Sequence, residues 1–186
     1  MNSTEIASED ARPANIVMVG MMGCGKSAIG RKVADNLLLT FVDTDAMIVE
    51  EAGRSIPEIF EDEGEAGFRN RERGVLEKAN GLSCHVIATG GGVILKPENR
   101  QTIRSLGYVI WLTASVDQLL FRISQSRDRP LMQTADPKQR LIELLEMRKP
   151  LYEEVSDMVV DTTDLTLCET VHGLIDCINY HFSCQA

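Results

Sequence analysis

Ile16-Val17-Met18-Val19-Gly20-Met21-Met22-Gly23-Cys24-Gly25-Lys26-Ser27 is an apolar run that breaks into a glycine-rich octet ending in Lys-Ser. Ile29, Val33 and Leu37 follow at helical spacing. Strand, loop and helix in that order are the context in which the octet reads as a phosphate-cradling P-loop. Glycines at 20, 23 and 25 let successive backbone N–H groups turn inward and form a concavity for phosphate oxygens. The following helix adds its unpaired N–H groups and the positive end of its dipole. Lys26 supplies a point charge for β- and γ-phosphates, and Ser27 offers a hydroxyl to a magnesium ion. A chance Lys-Ser after a glycine-rich turn would lack both flanking elements. The stretch therefore implies a nucleoside-triphosphate site.

Composition bounds what surrounds that site. A chain of 186 residues can form one domain with a substantial core. Cysteines 24, 84, 168, 177 and 184 show neither CxxC spacing nor a paired framework, and read as the reduced thiols of a cytoplasmic protein. No charged-then-apolar leader opens the chain, and no apolar run approaches ~18 residues, so neither secretion nor membrane spanning is expected. A formal charge of −9 argues against a general nucleic-acid-binding surface, although a local basic pocket remains compatible with it.

Strand-like runs at 16–19, 40–42, 85–88, 108–112 and 158–160 alternate with amphipathic stretches, the pattern of a parallel sheet covered on both faces. Ser55-Ile56-Pro57-Glu58 has the hydroxyl, early proline and glutamate of a capping box. Ser115 is a weaker N-cap before Val116. Asp136-Pro137 opens a helix carrying Leu141, Leu144 and Leu145, which is expected to stop before Pro150 and so to place Arg148 in its last turn. Residues 1–14 are polar and aperiodic and read as a loose tail, leaving a single domain over 15–186.

Further groups stand where ligands of open parallel sheets bind, beyond the carboxyl ends of the strands. Asp43-Thr44-Asp45 closes the second strand; one carboxylate could hold magnesium and the other accept a proton, or the pair could simply be a turn and a helix cap. Gly90-Gly91-Gly92 after the third strand admits close backbone approach to a ligand, or is a plain strand-to-helix turn. Arg69 lies in a charged helical stretch that by itself reads as a solvated face. Arg127-Asp128-Arg129-Pro130 sits between two helices, where either a basic flap or an ordinary loop fits.

Taken in order, these segments resemble the shikimate kinase family across roughly residues 15–181. The carriers are the Gly-Lys-Ser octet, Asp43-Thr44-Asp45, Gly53-Arg54-Ser55-Ile56 with Ile59-Phe60, Gly64-Glu65 with Phe68-Arg69, the glycine triplet, Arg129-Pro130-Leu131, and Arg148 with Pro150-Leu151-Tyr152. The resemblance implies an α/β fold of the P-loop nucleoside monophosphate kinase type. It has five parallel strands with helices on both faces, a substrate-binding region near 44–72 and a lid near 124–135. It implies ATP-dependent phosphorylation of the 3-hydroxyl of shikimate on the route to chorismate and the aromatic amino acids.

The same resemblance assigns residues. Gly23, Cys24, Gly25, Lys26, Ser27 and Ala28 would hold ATP; Ser27 and Asp43 would hold Mg2+; Asp45 would take the hydroxyl proton. Arg69 and Arg148 would clamp the acceptor carboxylate, Gly90, Gly91 and Gly92 would meet its ring hydroxyls through backbone groups, and Phe60 and Phe68 would wall its pocket. Arg129 would neutralise charge on the moving phosphoryl group, and Arg122 would stack on the adenine. The loop around Asp161-Thr162-Thr163 matches the family poorly. The implied partners are ATP and shikimate, with neither nucleic acid nor membrane, and a monomer suffices.

Two other readings share these features: a P-loop kinase of another hydroxy acid such as gluconate, and a non-catalytic nucleotide-binding module. The module reading expects the loss of a P-loop lysine, an aspartate or a clamp arginine, and all are present. Cys24 raises a separate question, since inward N–H groups, a helix N-terminus and Lys26 all favour a thiolate there. The alternative is a sulfur that points away from the anion site.

Overall fold

The computed structural model describes residues 15–125 and 136–184. The strands are β1 (Asn15–Val19), β2 (Thr40–Asp43), β3 (His85–Ala88), β4 (Tyr108–Thr113) and β5 (Met158–Asp161). The helices are α1 (Lys26–Leu37), α2 (Thr44–Ala52), α3 (Ile56–Ala79), α4 (Pro97–Leu106), α5 (Val116–Ser124), α6 (Pro137–Val155) and α7 (Leu167–Ser183). A short 3-10 turn spans Val93–Leu95. The tail at 1–14 and nearly all of the expected lid, Arg127 and Arg129 included, lie outside the described residues.

All five strand expectations correspond to observed strands, and every pairing is parallel in the order β2-β3-β1-β4-β5. The central strand β1 is buried along its whole length, as expected of a parallel strand covered on both faces. Helices α1 and α7 pack together, and α4 packs against both α3 and α6 and, with α6, against the sheet. The main core runs from Ile16–Val19 through Val86, Ile87 and Val109–Leu112 into these helices. A smaller core of Ile48, Ile59, Phe68 and Val75 joins α2 to α3 and carries the region expected to bind substrate. Among the described residues no helix is long and apolar enough to cross a membrane.

The strand order explains the location of the site. The chain passes from β1 to β2, leaving space for β3 between them, and later adds β4 on the other side of β1. Carboxyl ends of β1, β2 and β3 therefore open side by side at a topological switch point, delivering the octet, the aspartates and the glycine triplet to one crevice.

Local chemistry fixes the helix starts. Ser55 and Glu58 form the reciprocal capping box, Ser115 accepts from the Gln118 N–H, and Asp136 accepts from the Gln139 N–H. A second capping box, Thr166 with Glu169, opens α7. Helix α3 bends at Gly64, whose φ of 66° and ψ of −176° fall in a region essentially reserved for glycine. Arg54 and Arg71 both pair with Glu63 beside the bend.

One helix end differs from expectation. Helix α6 continues through Pro150 to Val155, so Arg148 lies well inside it and not in the last turn. Pro150 removes one backbone donor. Tyr152 and Val155 beyond it are buried in the main core, and that burial holds the final turn in place.

Candidate active site

A cavity of about 320 Å³ opens above the sheet, lined by the P-loop from Met22 through Ala28 (Cys24 excepted), Asp43, Asp45, Thr89, Gly91 and Arg122. Sequence-distant candidates thus meet around one space. At its floor Lys26 is buried, and its ammonium donates to the carbonyls of Gly20 at 2.8 Å and Met21 at 2.9 Å. The cation sits where phosphate oxygens would meet the inward-turned loop.

Asp43 is the helix cap that the sequence offers as one alternative, and its second oxygen is turned to the P-loop. Its Oδ1 caps α2 by accepting the N–H groups of Asp45 and Ala46, and its Oδ2 accepts the Ser27 hydroxyl at 2.5 Å. Ser27 and Asp43 thus present convergent hard oxygen donors at the cavity wall. No group of three or more His, Cys, Asp or Glu side chains forms a metal cage among the described residues. Few protein ligands suit a magnesium ion that completes its shell with water and phosphate oxygens, so the donor set fits.

The glycine triplet is required by side chains of this chain. A methyl group at Gly90 would come within 2.7 Å of Asp45 Oδ1 and Glu72 Oε1, and one at Gly92 would overlap the Arg69 guanidinium. Gly90 N–H also donates to the Thr44 hydroxyl, tying β3 to the start of α2. The triplet also forms the turn out of β3, with the Val93 N–H donating to the Gly90 carbonyl, so the turn is present and is crowded by the side chains around it.

Arg69 is 8% exposed, which rules out the solvated face. It pairs with Glu72 at 2.9 Å and Glu65 at 3.0 Å and lies over the Phe68 ring, which in turn packs on Phe60. Burial opposes its charge, but Glu72 and Glu65 together hold the guanidinium above its ordinary value. Glu72 is 1% exposed; burial pushes its carboxyl up and nearby Asp45 adds to that, while Arg69 and Arg148 oppose it. Arg148 is 2% exposed and donates to Gly91 O at 3.3 Å and approaches Met21 Sδ, with no ion pair among the described residues. The Nε atoms of both arginines also lack a hydrogen-bond acceptor among the described residues. Two buried guanidinium groups therefore converge on the glycine triplet with donor capacity left over.

Arg122 reaches the cavity from α5, donating to Thr162 O at 2.9 Å and Thr162 Oγ1 at 3.0 Å. It ties the poorly matching loop after β5 to the nucleotide side of the site. Cys24 turns its side chain away from the cavity: it is fully buried in the main core, with Sγ 3.7 Å from the Lys26 ammonium, which leaves only its backbone to the loop. A sulfur turned into the core, away from the anion site, is the alternative that the fold builds.

The sequence reading gave Glu72, Thr44 and Tyr152 no role at the site, although Thr44 and Tyr152 stand in segments that carry the resemblance. The spacings Arg69 to Glu72 and Arg148 to Tyr152, three and four residues on one helix, are the signals that could have found two of them.

Known proteins resemble this chain over most of its length. A family model described as shikimate kinase matches residues 22–179. A shikimate kinase from Bordetella pertussis is 47% identical over 160 residues, covering 86% of this chain and 76% of its own. Another, from Thioalkalivibrio sulfidiphilus, is 48% identical over 149 residues, covering 80% and 78%. The solved shikimate kinase from Acinetobacter baumannii in complex with shikimate superposes with a TM-score of 0.88 at 37% identity, covering 92% of this chain and 96% of that one. A gluconokinase from Sinorhizobium meliloti covers 92% and 94% but reaches only a TM-score of 0.58 at 18% identity, a likeness of fold alone. With its P-loop and paired aspartates in one crevice, two buried arginines against the glycine triplet at its edge, and relatives of this identity over most of its length, the chain belongs to the shikimate kinase family.

Proposed function

We propose that this chain transfers the γ-phosphoryl group of ATP to the 3-hydroxyl of shikimate, giving shikimate 3-phosphate and ADP. The observation that carries this reading is Arg148, a buried guanidinium with no ion pair among the described residues, hydrogen-bonded to Gly91 of the cavity wall next to the glycine that Arg69 packs against. A buried cation without a counter-ion is costly, and a carboxylate-bearing acceptor supplies the missing charge. The hydroxy acid then lies between the arginines and the P-loop, with Asp45 and the glycine triplet at its ring.

In the proposed reaction the 3-hydroxyl oxygen forms a bond to the γ-phosphorus as the bond to the β-bridging oxygen breaks. ADP leaves with that electron pair, and the hydroxyl proton passes to the Asp45 carboxylate. Positioning and charge stabilisation do most of the work in phosphoryl transfer. Lys26 meets the β- and γ-phosphates and Arg122 bounds the base side of the cavity. Ser27 and Asp43 would hold Mg2+, which supplies charge neutralisation on the phosphate oxygens. Arg129, outside the described residues, is assigned to the same task. Since every group proposed here belongs to one chain, a monomer suffices.

A coupled assay for ADP release with shikimate, gluconate or no acceptor tests the reading. Turnover is expected to depend on shikimate, and Asp45→Asn to lose it while still binding the acceptor. Equal release with gluconate or with no acceptor would overturn the assignment.

A further inference from the structure

The glycine triplet has a fixed support behind it. Tyr152 is fully buried, and its hydroxyl donates to the Gly91 carbonyl at 2.6 Å. The same carbonyl accepts from Arg148, four residues earlier on α6. The Tyr152 ring is held sideways by stacking on Trp111 of β4, with centroids 5.7 Å apart and planes at 20°. Burial pushes its phenol far above the usual range, so it remains a neutral donor at any pH at which the protein works.

A pinned carbonyl fixes more than itself. The peptide joining Gly91 to Gly92 is planar and trans, so its N–H points opposite to its C=O. With the carbonyl held toward Tyr152, the Gly92 N–H is aimed away from α6, and it takes no backbone acceptor among the described residues. Two glycines in succession have little rotational preference of their own. The turn closed by the Val93 N–H on the Gly90 carbonyl admits either orientation of its central peptide, and a side chain can select between them. Gly91 also packs against the P-loop, where a methyl on it would meet Gly20 O and Met22 N at 3.3 Å.

We infer that Tyr152 is a positioning residue for the acceptor: its hydroxyl orients the Gly91–Gly92 peptide and shares with Arg148 the carbonyl that seats the guanidinium. This assignment rests on the reading above, in which an anionic acceptor lies against Arg69, Arg148 and the triplet. Tyr152 touches no reacting atom.

Tyr152→Phe keeps the ring and its stacking and removes only the hydroxyl. Leaving a buried carbonyl short of its donor should raise KM for shikimate on the order of tenfold, with KM for ATP within about twofold and kcat within about threefold. Trp111→Phe is the contrast. It loosens the same packing without removing the hydroxyl, so it should lower Tm by several degrees yet leave both KM values within about twofold. The inference is overturned if Tyr152→Phe keeps the parent KM for shikimate, or raises both KM values in parallel. It is equally overturned if Trp111→Phe reproduces the KM change, or if Tyr152→Phe fails to fold and so assigns the hydroxyl to stability. A parent enzyme inactive on shikimate would instead overturn the functional reading, a result separable from all of these.

Discussion

Arg148 and Arg69 are both buried cations at the triplet, yet their surroundings differ, and so do the expected effects of removing them. Arg148 has a carbonyl and a sulfur for company; Arg69 has two carboxylates. Arg148→Ala should therefore cost on the order of 2–5 kcal/mol in kcat/KM for shikimate with little loss of stability. Arg69→Ala should cost activity and also lower Tm, because it leaves Glu72 buried without its partner. Steady-state kinetics paired with thermal melts separate the two, and equal melts would contradict this account. Cysteine chemistry gives a second test. Cys84, Cys168, Cys177 and Cys184 are exposed and Cys24 is buried. Peptide mapping after brief iodoacetamide treatment should find the four exposed thiols labelled first and Cys24 spared even without ATP. Early labelling of Cys24 would mean that the P-loop opens.

Helix α3 depends on a bend at one residue. A side chain at Gly64 would have to adopt backbone angles that other residues avoid, although nothing blocks the space around it. Gly64→Ala should lower stability on the order of 1–3 kcal/mol through backbone strain alone. If the bend also aims Arg69, KM for shikimate should rise together with the fall in Tm. Helix α7 offers a pH test. Hydrogen bonds from Thr166 hold the Glu169 carboxyl below its ordinary value of 4.5. A depressed carboxyl stabilises the fold above its unfolded pKa and loses that contribution as pH falls through the folded value. Glu169→Ala should therefore melt lower than the parent at neutral pH, and the gap should close once the pH is well below 4.5. A gap that persisted in acid would point to packing.

Across the whole molecule, ligand linkage is the sharpest measure. Shikimate at a hundred times its dissociation constant should add about 2.7 kcal/mol to folding stability, whereas gluconate at the same concentration should add far less. Equal shifts would favour a less selective hydroxy-acid kinase. Short-range patterns wrote much of this molecule openly. Strand-like runs of three to five residues located every strand, hydroxyl and carboxylate caps located three helix starts, and the glycine spacing of the octet located the phosphate cradle. Each of these rests on interactions within a few residues, so the linear chain displays it. The tertiary structure alone decided that Asp43 both caps a helix and meets Ser27, and that Arg69 is buried and not solvated. It also decided that α6 runs on through Pro150 and that Cys24 turns into the core. These outcomes depend on what lies across the sheet. Burial and the pairing of distant charges are properties of the packed molecule, and the strand order that brings 43, 69, 91 and 148 together has no local signature in the chain.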